Sequence, residues 1–283
     1  MRNFKITSKG FFIHLVLISV SLLSIFPFLW LMSTAMKGSS ENIFQYPPVF
    51  FPKMPTWENF VGVWHQIPFL LYFLNSMIVA GFTVLLNLIL SALAAYPLAR
   101  MDFKGKKVTF YAILATIMIP FQAIMLPVYL IVLKLNMVDS VNSFMGFVGL
   151  ILPFAVNAFG IFLMRQAFLA IPKEMEEAAF VDGCNVFQIW WKVLLPMVKP
   201  TLAVLAIFTF IGSWGEFLWP SIVLTQKSLY TLPVGVNDLQ GMFSANWRYI
   251  AAGSIISTVP ILIFFIAMQK YFISGENDGA VKG

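Results

Sequence analysis

Six long apolar runs dominate the sequence, at residues 11–36, 70–98, 108–133, 141–164, 200–224 and 249–268, and all but the fifth lack Asp, Glu, Lys and Arg. A bilayer core takes roughly 20 apolar residues per helix, because a backbone immersed in lipid has to satisfy its own hydrogen bonds. The runs therefore predict an all-α polytopic membrane protein with six transmembrane helices. Charged residues are only 11% of the 283, against about 25% in soluble domains, so a water-soluble fold is excluded.

Lys and Arg fall unevenly between the runs. Thirteen lie before residue 11, at 100–107, at 165–199 and after 268, whereas Lys37, Lys53, Lys134, Lys227 and Arg248 make up the other five. Cytoplasmic connections carry the positive excess, so both termini and the 165–199 connection are expected in the cytoplasm. Three basic residues ahead of the first run resemble a signal peptide, but the run exceeds a signal core of about 7–15 residues and is expected to be a retained span. The net charge of +6 follows from this asymmetry and from anionic inner-leaflet lipid, with no nucleic-acid partner needed.

Several chemistries lack their residues. Gly105-Lys106-Lys107 has neither the upstream glycine nor the following Ser or Thr of a phosphate-binding loop, and no H-E-x-x-H or G-x-S-x-G pattern occurs. ATP hydrolysis by this chain is not expected, and no catalytic residue is assigned. His14 and His65 stand far apart with no ligand pattern, so no metal site is expected either. The single Cys184 permits no internal disulfide.

In the longest connection, 37–69, Pro47, Pro48, Pro52 and Pro55 preclude a continuous helix. Beyond them Thr56 suits an N-cap, and Trp57, Phe60, Val61 and Trp64 recur every three or four residues. That spacing predicts a short helix over 56–64 at the extracytoplasmic lipid surface, acting either as an anchor or as a docking surface for an external protein.

Residues 172–196 form an acidic and aromatic insertion between two runs. Pro172 suits a first helical turn, Glu174, Glu176 and Glu177 suit the positive end of a helix dipole, and Ala178 and Ala179 propagate a helix. Gly183 offers the positive φ that ends it, and Asn185 can cap a second helix with Phe187, Trp190, Trp191 and Leu194 on its apolar face. Pro196 is expected to stop that helix.

The spacing Glu177-Ala178-Ala179, then Gly183, Val193 and Leu195-Pro196, resembles the EAA signature of permease subunits in binding-protein-dependent ABC importers, with Val193 where isoleucine is commoner. Asn75-Ser76, Ala94 to Arg100, Gly105-Lys106, Trp214 to Pro220, Gln269 to Phe272 and Gly279 to Gly283 resemble the carbohydrate branch of that family. Gly215 departs from the asparagine expected after the tryptophan. The resemblance implies a cytoplasmic coupling helix pair at 172–196, where Glu177, Ala178, Ala179, Gly183, Val193, Leu195 and Pro196 seat on an ATPase. It also implies a second permease subunit, two ATPase subunits that hold ATP and Mg, an external solute-binding protein and a carbohydrate solute. The layout is then a tail at 1–10, a first span at 11–36, the 37–69 loop, a permease core at 70–268 and a tail at 269–283.

Glu216 is the one acidic residue well inside a run, where ionisable groups face a cavity or a partner. Trp214, Phe217 and Trp219 could stack on sugar faces while Glu216 accepts hydroxyl hydrogen bonds; alternatively Glu216 bonds a neighbouring helix and the aromatics are packing. Pro120, Pro127, Pro153 and Pro260 are expected to kink their spans. The signature supports the same machine for glycerol phosphate, polyamine or peptide equally well. A stand-alone membrane enzyme or receptor would need a catalytic pair or sensory domain that the sequence lacks.

Overall fold

The structure, a computed structural model, describes residues 8–139, 143–240 and 246–269. Arg2, Lys5, Val141 and nearly all of the expected 269–283 tail lie outside the described residues. In chain order the α-helices are α1 (Ser8–Ala35), α2 (Glu58–Gln66), α3 (Phe69–Arg100), α4 (Lys106–Ala115), α5 (Phe121–Lys134), α6 (Ser143–Ile151) and α7 (Ala158–Ala170). They continue with α8 (Glu174–Val181), α9 (Val186–Gln188), α10 (Leu195–Met197), α11 (Lys199–Trp214), α12 (Leu218–Val223), α13 (Leu232–Asp238) and α14 (Trp247–Met268).

The protein is an all-α polytopic membrane protein, but its spans are not six uninterrupted helices. α1, α3 and α14 are each long and apolar enough to cross a bilayer, and three bent pairs supply the rest. Lys106–Met118 meets Phe121–Lys134 at 102°, Phe144–Phe154 meets Ala158–Ala170 at 54°, and Val186–Met197 meets Lys199–Trp214 at 78°. The first break has a local cause. Pro120 forces the preceding residue out of the helical region, and Ile119 sits at φ −93, ψ 109. Pro153 lies in the 3-10 turn Leu152–Phe154 that closes α6, after which Asn157 caps α7 by accepting from Gly160 N at 2.7 Å. Pro127 and Pro260, by contrast, sit inside continuous helices. The fifth run is broken at Gly215-Glu216-Phe217, between α11 and α12.

The chain divides into two compact units, one from residues within 1–69 and 236–259, the other from 70–235 and 260–283. In the first, the helix predicted over 56–64 is α2, which begins at Glu58 with Trp57 rather than Thr56 as its N-cap and runs on to Gln66. Thr56 Oγ1 still accepts from Glu58 N at 3.1 Å. Trp57, Val61 and Trp64 face outward, while buried Asn59 donates to the carbonyls of Ala35 and Lys37, both at 2.8 Å, and so ties α2 to the end of α1. Glu41 accepts from Lys53 N at 3.0 Å and Met54 N at 3.2 Å; these bonds, the Lys53 bond first, hold its pKa below the ordinary glutamate value. The pinning is therefore present at neutral pH and is lost as pH falls through that lowered pKa.

The second unit holds two apolar cores along α3. Toward its C-terminal end, Ala92, Ala95, Tyr96 and Ala99 pack with Met164 and Phe168 of α7 and with Ala179, Ile189, Trp190 and Leu194. Toward its N-terminal end, Val79 packs with Leu150, Trp219 and Val223. There Asn75 donates to the carbonyls of Ser228 and Tyr230, both at 3.0 Å, and Ser76 Oγ accepts from Leu232 N at 2.7 Å. α6 closes on the turn after α5 through Gly149, where a Cβ would collide with the Met137 carbonyl.

Candidate functional site

The 172–196 stretch folds as a capped bend. α8 carries Glu174, Glu176 and Glu177 in its first turn, where the helix dipole favours negative charge. Its N-cap is Lys173, so Pro172 precedes the helix instead of occupying the first turn. At the other end Cys184 N donates to Ala179 O and Gly183 N to Phe180 O, both at 3.0 Å, the paired bonds of a Schellman motif. Gly183 sits at φ +82; any other L-residue there costs about 1–2 kcal/mol. Among the described residues, apart from its two chain neighbours, no atom lies within 4 Å of where its Cβ would be. Asn185 then opens the second helix with a capping box: its Oδ1 accepts from Gln188 N and its N donates to Gln188 Oε1, both at 2.9 Å.

That second helix does not stop at Pro196. Residues Ile189–Leu194 are wound as a π-helix, with Leu195 N donating to Trp190 O, and the helix runs on to Met197 before breaking at Val198. In an α-helix the Pro196 ring would meet the Lys192 carbonyl. The wider turn ahead of it removes that clash, so the helix passes through. The same widening splits the apolar face expected from the sequence. Ile189, Trp190 and Leu194 are buried, whereas Phe187 and Trp191 point outward with Phe180 and Val181, the last 88% exposed. Glu177, Ala178, Gly183 and Pro196 are also exposed, Val193 and Leu195 are half-buried, and Ala179 is buried.

One arginine roots the bend, and a second ties α7 to α3 and α4 behind it. Arg100 Nε pairs with Glu176 Oε1 at 2.6 Å, with side-chain exposures of 5% and 18%, and Arg100 Nη2 donates to Ile171 O at 2.5 Å. Arg165 lies 4.0 Å from the Phe110 ring centroid and donates from Nε to Leu98 O at 3.1 Å. In the sequence both arginines lie beside apolar runs, where they count toward the charge asymmetry, and Arg100 also closes the Ala94-to-Arg100 stretch; neither position announces its partner.

Elsewhere in the second unit a cavity of about 190 Å³ is lined by Thr83, Asn157, Thr209, Ser213, Glu216 and Trp219 together with apolar side chains. Glu216 Oε1 accepts from Trp219 N at 3.1 Å and caps the start of α12; Trp219 Nε1 donates to Gly149 O at 3.1 Å. Of the four candidate solute-path residues, Glu216 and Trp219 reach the cavity. Trp214 is buried against Phe73 and Phe210, with centroids 5.6 and 5.5 Å away, and neither it nor Phe217 lines the cavity. Thr83, Thr209 and Ser213 were missed because a hydroxyl within an apolar run carries no periodic signal. Among the described residues, no cluster of His, Cys, Asp or Glu could hold a metal ion.

Comparisons with known proteins agree with one another. The family described as binding-protein-dependent transport system inner membrane component matches residues 87–275. The arabinooligosaccharides transport system permease protein AraQ of Bacillus subtilis is 34% identical over 266 residues, 93% of this chain and 92% of that protein. The sn-glycerol-3-phosphate transport system permease protein UgpE of Yersinia pestis is 30% identical over 275 residues, 94% of this chain and 95% of that one. A chain in the crystal structure of a bacterial ABC transporter involved in the import of the acidic polysaccharide alginate superposes with a TM-score of 0.78 at 27% identity, covering 96% of this chain and 99% of that chain.

Proposed function

The chain belongs to the family of binding-protein-dependent transport system inner membrane components, and from that premise we propose that it is the membrane-spanning permease subunit of an ATP-driven importer of carbohydrate. The similarities to the arabinooligosaccharide permease and to the alginate importer support the solute class; similarity to the glycerol-phosphate permease makes that anion the alternative for the same machine. A second permease subunit completes the pore, two ATPase subunits bind ATP and Mg, and an external solute-binding protein delivers the solute. The Lys and Arg distribution supports an orientation with both termini and the 172–197 bend in the cytoplasm.

The observation that carries this reading is the capped bend, which presents exposed Phe180, Val181, Phe187 and Trp191 around Gly183 while Ala179, Ile189, Trp190 and Leu194 hold it in the bundle. Large exposed apolar groups beside a glycine with open space above it suit insertion into a cleft on another protein. Because the bend is rooted, a push on it moves α3 and α11 with it. From Arg100 to Thr83 along α3 is roughly 25 Å at 1.5 Å per residue, and α11 runs from Lys199 beside the bend to Thr209 and Ser213 at the cavity. ATP-driven closure of the ATPase pair would then reshape the path by rigid-body helix movement.

Gly183→Asp and Glu177→Lys are expected to insert at normal levels yet lower uptake by about tenfold or more, as loss of a contact worth roughly 1.4 kcal/mol implies. ATP hydrolysis by the assembled importer should become uncoupled from transport. Wild-type uptake by both variants at normal membrane levels would refute the docking role.

A further inference from the structure

We infer that the cavity bounded by α3, α11 and α12 selects its solute by charge, with Glu216 rejecting anions, so that this importer carries an uncharged carbohydrate. The inference rests on the permease reading and narrows it. Among the described residues of this chain, Glu216 is the only ionisable side chain lining the cavity, with no lysine, arginine or histidine there to balance a phosphate or carboxylate. Among the described residues Glu216 takes part in no ion pair. One of its oxygens caps α12 through Trp219 N, leaving the other to accept from a sugar hydroxyl.

The remaining polar groups fit the same chemistry. Thr83 lines the cavity at 1% exposure, and its hydroxyl and that of Thr209 find no hydrogen-bond partner among the described residues. Hydroxyls donate and accept, and a buried one left unpaired is costly. A neutral polyol satisfies hydroxyls without bringing charge, while Phe154 and Phe208 offer apolar surface to its C–H faces. An anionic group about 5 Å from the carboxylate, at an effective dielectric near 20, is disfavoured a hundredfold or more.

The test uses the assembled membrane complex in nanodiscs, without its solute-binding protein, and two probes of equal length: arabinotriose and a mannuronate trisaccharide. Ligand-observed NMR titration should find the neutral probe bound and the anionic probe weaker by about a hundredfold. Glu216→Gln keeps an oxygen for Trp219 N, so α12 stays capped, but turns an N–H₂ donor toward the solute; the anionic probe should gain at least tenfold in affinity relative to arabinotriose. Thr83→Val should weaken both probes. Equal wild-type affinities, or no gain for the anion in Glu216→Gln while Thr83→Val still weakens binding, would overturn charge selection and leave the cavity in the solute path. If neither probe binds, or neither variant changes either probe, the path reading falls as well, and the docking role of Gly183 stands on its own test.

Discussion

Replacing Asp139 by Ala should cost about 3–5 kcal/mol of stability, because its carboxylate receives several charge-assisted hydrogen bonds worth roughly 1.5–3 kcal/mol each. Asp139 is 1% exposed. Its Oδ2 accepts from Thr225 N at 2.7 Å and Gln226 N at 2.6 Å, and its Oδ1 accepts from Thr225 Oγ1 at 2.9 Å. Its main-chain carbonyl accepts from Gln226 Nε2 at 2.6 Å. The side chain thus holds the segment after α12 against the turn after α5. Alanine leaves two backbone N–H groups and a hydroxyl of Thr225 and Gln226 without their acceptor in a part-buried place. Asparagine retains one oxygen but turns an N–H₂ group toward a donor, so about half the loss is expected. Unfolding of the detergent-purified protein by SDS measures both. A value within about 0.5 kcal/mol of wild type for Asp139→Ala, the range of ordinary surface substitutions, would show that the buried carboxylate contributes nothing to stability.

The second large effect concerns Arg100. Arg100→Ala removes the partner of Glu176 and the donor to Ile171 O in one step. Breaking one side of a buried pair costs about 3–5 kcal/mol, with the lower end expected here because Glu176 keeps some solvent contact. The bend should then come loose from α3, and uptake should fall much further than the membrane level of the subunit. Arg100→Lys is expected to recover little, since a single ammonium cannot serve the carboxylate from one nitrogen and the Ile171 carbonyl from another. Glu176→Gln keeps an oxygen to accept from Arg100 but leaves that buried guanidinium without its counter-charge, so it should weaken coupling and destabilise less than Arg100→Ala does. Uptake and ATP hydrolysis measured together on the reconstituted importer separate the cases. Tight coupling retained in Arg100→Ala would mean that the stroke reaches the membrane helices without passing through this pair.

Asp139 and Arg100 also mark where sequence reasoning stops. Each sits beside an apolar run and each reads as an ordinary connection residue, one acidic and one basic. What raises them is burial against a partner more than 70 residues away, Glu176 for Arg100 and the Thr225–Gln226 segment for Asp139. Local pattern carries no information about such pairs. The bend at Gly183 is the opposite case. A glycine between an acidic helix start and an asparagine cap states its own backbone geometry, and the Schellman bonds and capping box form at the residues that pattern names. Pro196 lies between the two: its missing N–H and bulky ring are legible, but a π-turn accommodates them where a helix end is the simpler expectation.

By itself the sequence determined the solvent, the helical class and the capped bend, because lipid immersion, dipole, capping and φ preferences act on residues within a few positions of one another. Only the tertiary structure decided which of the prolines break their runs, which aromatics face out, and which polar groups share the cavity. Those outcomes depend on helices meeting side by side, where the Thr83 hydroxyl of α3, the Thr209 hydroxyl of α11 and the Glu216 carboxylate in the break after α11 come to line the same space.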